Sequence, residues 1–325
     1  MVSNDAVVRQ HPVLAVVAER LASGSRPGER PDGHRVVLSI EGGGNRGVIA
    51  GGMALALHER GLLSAFDAVY GASSGALTAA WLLSGDIATG MHAWTRPADF
   101  ARFSRLSNLL RRRPLVDLSW LIGEYYDRRL GLNAAEILAN PVSIHPLATD
   151  VDTGSAVDLH PRISDKESLH TALRASAALP LVAGKPVELA GRRYLDAGVA
   201  ESVPFETPLA AGATHMLVLT SRKNDDLAQD PLVVRRIADA WLRRAAPGAR
   251  AAFLARETRS AATAERLANH SADPDGSPAV LAIRPGPDTP RVARMESDGS
   301  VIAAGLAAGH DAMAAILDDG MTARS

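Results

Sequence analysis

The stretch V-V-L-S-I-E-G-G-G-N-R-G, from Val36 to Gly47, decides the fold. Val36 to Ile40 reads as a short buried strand that runs straight into a glycine loop, Glu41 to Gly47. Val48 to Arg60 then reads as a helix, with Gly61 where a terminating glycine belongs. The same order returns at once. Phe66 to Tyr70 predicts a second strand, Gly71 starts a turn within G-A-S-S-G (Gly71 to Gly75), and Ala76 to Leu83 is a helix of small and apolar residues. Strand, turn and helix repeated in this way predict an α/β domain with a mainly parallel sheet covered by helices.

Further out, Pro12 to Ala22 reads as a helix with proline in its first turn, and Ser25 to Gly33 as a Pro/Gly/Arg-rich linker. Residues 1–34 are thus expected to precede a single domain over 35–325, with the motifs in about 36–220 and a helical part over about 231–320. Val142 to Thr149 and Ser155 to His160 predict a strand pair around Asp152-Thr153-Gly154. Ser168 to Leu179 predicts a helix, and Arg193 to Leu195 a strand feeding Asp196. Met216 to Thr220 and Val280 to Arg284 read as strands, Pro231 to Asn269 as helix broken at Pro247-Gly248, and Ser300 to Leu317 as a closing helix.

Composition excludes several functions. The chain has 325 residues, 46% of them apolar, enough for a sizeable core. A formal net charge of −1 gives no electrostatic ground for a nucleic-acid partner. The absence of cysteine removes disulfides, thiolate catalysis and Cys-ligated zinc. Asp150, Asp152 and Asp158 lack the spacing of a calcium loop, and no metal or other cofactor is expected. No unbroken run of 18 apolar residues is present, so no transmembrane helix is expected. Val13 to Ala18 is too short an apolar run for a signal peptide, and the charged pair Glu19 and Arg20 ends it. A cytoplasmic protein, or one in reversible contact with a membrane surface, is expected. Oligomeric state is not legible.

G-x-S-x-G between a strand and a helix is a nucleophile elbow, which pushes a serine hydroxyl out of the sheet and aims a helix N-terminus at developing negative charge. Gly71 and Gly75 place Ser73 at its centre; a slip to Ser74 would put Ala72 and Ala76 in the glycine positions. Glu41 to Gly47 also fits the G-x-G-x-x-G of dinucleotide binding, but the next strand runs into the serine elbow instead of ending in the acidic residue that holds a ribose. The loop Gly42, Gly43, Gly44, Asn45, Arg46 and Gly47 can instead turn N–H groups toward Ser73 as an oxyanion hole. Gly43 and Gly44 are the candidate donors, the Asn45 N–H is a further one, and Arg46 anchors the loop. A base for the serine is then needed. Asp196, in D-A-G (Asp196 to Gly198), follows a strand and is the candidate. A carboxylate works in that role only where the hydroxyl is desolvated and aligned. His215 and His310 keep a Ser–His–Asp alternative open.

These three motifs, with A-L-R-A-S-A-A-L-P from Ala172 to Pro180, resemble the patatin-like phospholipase family, in particular its bacterial single-domain members. The resemblance runs from about Val36 to Thr220. It implies a three-layer α/β/α fold and hydrolysis of lipid acyl esters without a metal, with Ser73 as nucleophile and Asp196 as base. The sequence departs from the family pattern at Glu41, where aspartate is commoner, at Ala197 in D-A-G, and at Ser202, where asparagine is usual.

An acyltransferase and a catalytically idle lipid-binding protein on the same fold are the other readings. Arg111, Arg112 and Arg113, with Leu109 and Leu110, could rest on an anionic lipid surface, although a basic run is more often a solvated face. Trp120, Tyr125 and Tyr126 could line an acyl pocket, although such aromatics are more often core.

Overall fold

The computed structural model describes residues 11–96, 114–223 and 231–322. The basic run Leu109 to Arg113 lies outside them.

Eight described strands form one sheet: β1 (Val36–Ile40), β2 (Ala68–Ala72), β3 (Ser143–Asp150), β4 (Ala156–Asp158), β5 (Val187–Leu189), β6 (Arg192–Asp196), β7 (His215–Leu219) and β8 (Ala279–Ile283). The order is β5-β6-β3-β2-β1-β7-β8, with β4 paired to β3. Strands β3, β2, β1, β7 and β8 run parallel, while β4, β5 and β6 add an antiparallel margin. Every residue of β1 and β2 is buried, as expected of parallel strands covered on both faces.

Alternation along β1 sorts its residues between two cores. Val36, Leu38 and Ile40 face one, with α1 (Pro12–Ala22), α2 (Val48–Glu59), α3 (Ser74–Leu83) and α10 (Gly299–Thr322). Val37 faces the other, with Tyr70, Phe205 and Leu267 of α9 (Arg250–Ala272). The result is the three-layer α/β/α arrangement. Helix α1 is part of it: Val13, Val16 and Val17 join the first core.

One strand differs from the sequence reading, and two helices bear on the other expectations. Strand β2 starts and ends two residues later than predicted. Gly71 and Ala72 are held by β1 and β3 on either side, through Ile40–Gly71 and Leu147–Ala72 pairing, so the turn starts later. Trp120 to Arg129 is a π-helix, and Tyr125 and Tyr126 are buried core. Tyr126 accepts a hydrogen bond from Trp94 Nε1 at 2.5 Å, and Trp120 stacks on Tyr125. The aromatics are therefore packing residues. Finally, Gly299–Asp318 is long and apolar enough by length and composition to cross a membrane. Its alanines are exposed or half-buried. Ile302, Gly305, Leu306, Gly309, Met313 and Leu317 form a buried stripe at helical spacing. A side chain at Gly309 would meet the Ile49 carbonyl of α2 at 1.9 Å, so the two helices touch backbone to backbone.

Candidate active site

The register of the sheet assembles the site. In open α/β sheets, ligands bind at the carboxyl ends of the strands. The glycine loop leaves the carboxyl end of β1, and the G-A-S-S-G turn leaves that of its neighbour β2. Ala72 pairs with Leu147 of β3, and the next residue of β3, Ala148, pairs with Asp196. Asp196 thus lies level with Ser73, with β3 between their two strands.

Ser73 Oγ donates to Asp196 Oδ2 at 2.6 Å. Ser73 has φ 53° and ψ −122°, a conformation few residues other than glycine adopt. Close packing holds it there: a side chain at Gly75 would meet the Ile40 carbonyl at 2.2 Å, and one at Gly71 would meet Ala76 Cα at 2.5 Å. The Ser73 N–H donates to Ser176 Oγ at 3.0 Å. Ser176, wholly buried at the end of α6 (Lys166–Ser176), therefore fixes the elbow from behind.

Asp196 is 4% exposed. Its Oδ1 accepts the Gly198 N–H at 2.7 Å, and its carbonyl accepts from Thr149 Oγ1 at 2.8 Å. Burial raises its pKa to about 6, against the smaller lowering effects of the Ser73 and Gly198 hydrogen bonds and the Arg294 charge. A carboxylate tuned this way approaches the pKa suited to a general base near neutral pH.

The second serine has another task. Ser74, the first residue of α3, is buried, and its Oγ accepts the Gly43 N–H at 2.9 Å. The Gly43 donor expected from sequence is thus occupied within the protein. The Asn45 N–H is occupied too, donating to the Arg294 carbonyl at 2.9 Å, and the Gly42 N–H donates to the Ser202 carbonyl at 2.9 Å. Among the described residues, the Gly44 N–H has no acceptor. Arg46 is buried, with its guanidinium beneath Gly43: a side chain there would lie 3.3 Å from Nε and Nη2. Gly43 has φ 179°, open to any residue, whereas a side chain at Gly42 would strike the Ala72 carbonyl at 2.5 Å. The positions that demand glycine are therefore Gly42 and Gly44, whose φ is 59° and whose side chain would strike the Arg294 carbonyl at 2.5 Å, and not Gly43. Gly47 is also tight, against Ser74 Oγ.

Glu41 clamps the loop from its start. Its buried carboxylate accepts the Ser221 N–H at 2.6 Å and pairs with Arg222 at 3.1 Å, tying the loop to the end of β7. Ser74, Ser176, Ser221 and Arg294 carry this architecture and are not legible as site residues in sequence. Ser74 and Ser176 sit in segments that resemblance singles out, G-A-S-S-G and A-L-R-A-S-A-A-L-P, but their roles come from contacts across the fold.

The two histidines of the alternative triad lie elsewhere. His215 begins β7, at the amino ends of the strands and so opposite the site, beside His34, with its pKa lowered chiefly by burial. His310 pairs with Glu59 at 2.7 Å, which holds its pKa up. Glu59 ends α2, about 18 Å along the helix from the glycine loop. Among the described residues, no group of three His, Cys, Asp or Glu could hold a metal ion.

The patatin-like phospholipase model matches residues 38–209, more than half of the chain. The chain belongs to this family. The family takes its name from phospholipases. It is 27% identical over 190 residues to the uncharacterized protein YjjU of Escherichia coli (strain K12), covering 57% of this chain and 51% of that protein. It is 27% identical over 217 residues to the uncharacterized NTE family proteins Rv1063c of Mycobacterium tuberculosis (strain ATCC 25618 / H37Rv) and Mb1092c of Mycobacterium bovis (strain ATCC BAA-935 / AF2122/97), covering 65% of this chain and 55% of each relative. The chain spans about half the length of the curated relatives it matches.

Proposed function

We propose that this patatin-like chain is a serine esterase that hydrolyses lipid acyl esters through a Ser73–Asp196 dyad and an acyl-enzyme. The observation that carries the reading is the 2.6 Å contact between a strained elbow serine and a carboxylate that is 4% exposed. Ser73 Oγ attacks the ester carbonyl carbon as its proton passes to Asp196 Oδ2. The tetrahedral oxyanion is met by the Gly44 N–H and by the N-terminus of α3. Collapse breaks the bond to the alcohol, which leaves with the proton from Asp196. Water then attacks the acyl-enzyme, again losing a proton to Asp196. The second collapse returns the proton to Ser73 and releases the fatty acid.

Burial serves this cycle. A carboxylate in water is too weak a base for a hydroxyl; desolvation narrows the gap, and the short hydrogen bond aligns the hydroxyl with its acceptor. Ser73→Ala should lower ester turnover at least roughly 10³-fold and abolish fluorophosphonate labelling, with the melting temperature little changed. His310→Ala and His215→Ala should keep turnover within about tenfold. Labelling mapped to Ser74, or a collapse in either histidine variant, would overturn the dyad.

A further inference from the structure

The helix α8 (Leu232–Ala245) carries an apolar face that the fold does not use. Leu232 is 72% exposed, Val233 67% and Ile237 54%. Val233, Ile237, Ala240 and Arg244 recur at helical spacing on the outward side. The opposite side, Ala238 and Leu242, seats on Leu195 and Val199, the residues that flank Asp196 and its turn. Arg259 of α9 ties the pair to the same turn by donating to the Val199 carbonyl at 2.6 Å. Helix α9 runs back along α8, through Arg235–Glu257 and Arg250–Asp239 ion pairs.

We infer that this face of α8 is a docking surface for an anionic lipid bilayer, and that it brings the Asp196 side of the site to the membrane. The inference rests on the lipid-ester reading above. Exposed Leu, Val and Ile at adjacent positions mark an interaction surface rather than scattered apolar residues. Charge chooses the occupant. Arg236, Arg243 and Arg244 are exposed and border the strip, and Arg236 and Arg244 make no ion pair with any described residue. Apolar side chains entering the acyl boundary with arginines at the headgroups is the arrangement by which a helix lies in an anionic interface. A second copy of the chain seated here would set arginines against arginines.

The test is co-sedimentation of the whole chain with vesicles of phosphatidylglycerol or phosphatidylcholine, beside turnover of a soluble short-chain ester. Wild type and Ser73→Ala should bind phosphatidylglycerol vesicles equally, and phosphatidylcholine vesicles at least roughly tenfold less. Val233→Asp/Ile237→Asp and Arg236→Glu/Arg244→Glu should each lower the bound fraction about tenfold or more while keeping soluble-ester turnover within about twofold. Undiminished binding in the Val233→Asp/Ile237→Asp variant would overturn the proposal. So would a wild-type dimer that this variant dissolves in the absence of vesicle binding. Vesicle binding without turnover of any ester would break the catalytic reading and leave the docking face. Turnover without vesicle binding would do the reverse.

Discussion

The two ends of strand β2 handle charge in opposite ways. Asp67 precedes the strand and Ser73 comes after it. At the first end, Arg20 is 2% exposed and fully engaged. It pairs with Asp32 at 2.7 Å and Asp67 at 2.9 Å, and donates to the Ala65 and His34 carbonyls at 2.8 Å each. The Arg20 hydrogen bond holds the Asp32 carboxyl far below its ordinary range. At the other end, Asp196 is buried beside a serine hydroxyl rather than a paired cation, and its pKa rises to about 6. One end is arranged for stability. The other holds strain in Ser73 and a destabilised carboxylate in reach of its hydroxyl, as expected where structure is arranged for chemistry.

Removing Arg20 should have the largest effect on stability. Arg20→Ala leaves Asp32 without its cation, Asp67 with Arg30 alone and the His34 carbonyl without its arginine donor, at a cost of roughly 3–5 kcal/mol. Denaturant unfolding should register that loss, while turnover of the remaining folded protein should stay close to wild type. A catalytic collapse with intact stability would erase the division between the two ends. The same network should weaken in acid. The lowered pKa of Asp32 contributes stability at neutral pH that is lost as pH falls below the ordinary carboxylate range.

The glycine loop should show the reverse pattern. Gly42→Ala forces a methyl group against the Ala72 carbonyl beside Ser73. It should cost turnover about 10²-fold or more, comparable to losing an oxyanion donor elsewhere. Gly43→Ala meets only side-chain atoms at 3.2 Å or beyond and should cost much less. Equal losses would mean that Gly43 does more than donate to Ser74.

Smaller effects can be read from the elbow itself. Ser73→Gly and Ser73→Ala both remove the hydroxyl, but only glycine relieves the positive φ. Thermal unfolding should place Ser73→Gly above Ser73→Ala by about 1 kcal/mol or more. Equal stabilities would mean the turn stores no strain. Asp196→Asn should also stabilise, by up to about 3 kcal/mol at neutral pH. The sign comes from the raised pKa: protonation of Asp196 favours the fold in acid, and this contribution is lost as pH rises through about 6. The gain in melting temperature over wild type should therefore be small near pH 4 and grow through about pH 6.

Much of this fold was legible in sequence. Helix α1 and strand β1 are predicted with their observed bounds, since proline, capping and uniform apolarity are local signals. The three motifs stand at the carboxyl ends of β1, β2 and β6, because short motifs beside strands report local turns. What sequence could not supply comes from contacts between distant residues. Gly71 and Ala72 look like turn residues until two neighbouring strands hold them in the sheet. Ser74 looks like a spare nucleophile until its hydroxyl meets the Gly43 N–H. Ser176 and Arg294 reach the site from residues distant in the chain. The apolar face of α8 hides in sequence as an ordinary helical pattern, since periodicity alone does not say which stripe finds the core.

The central claim is that buried Asp196 is the base for Ser73. Its most direct test is the rate of fluorophosphonate labelling of Ser73, measured from about pH 4 to about pH 9 in wild type and Asp196→Asn. The base must be ionised, so the wild-type rate should fall as pH drops through about 6, and Asp196→Asn should label far more slowly with no such inflection. An Asp196→Asn protein that labels like wild type, or keeps the inflection, would show that Asp196 is a turn residue and that another group activates the serine.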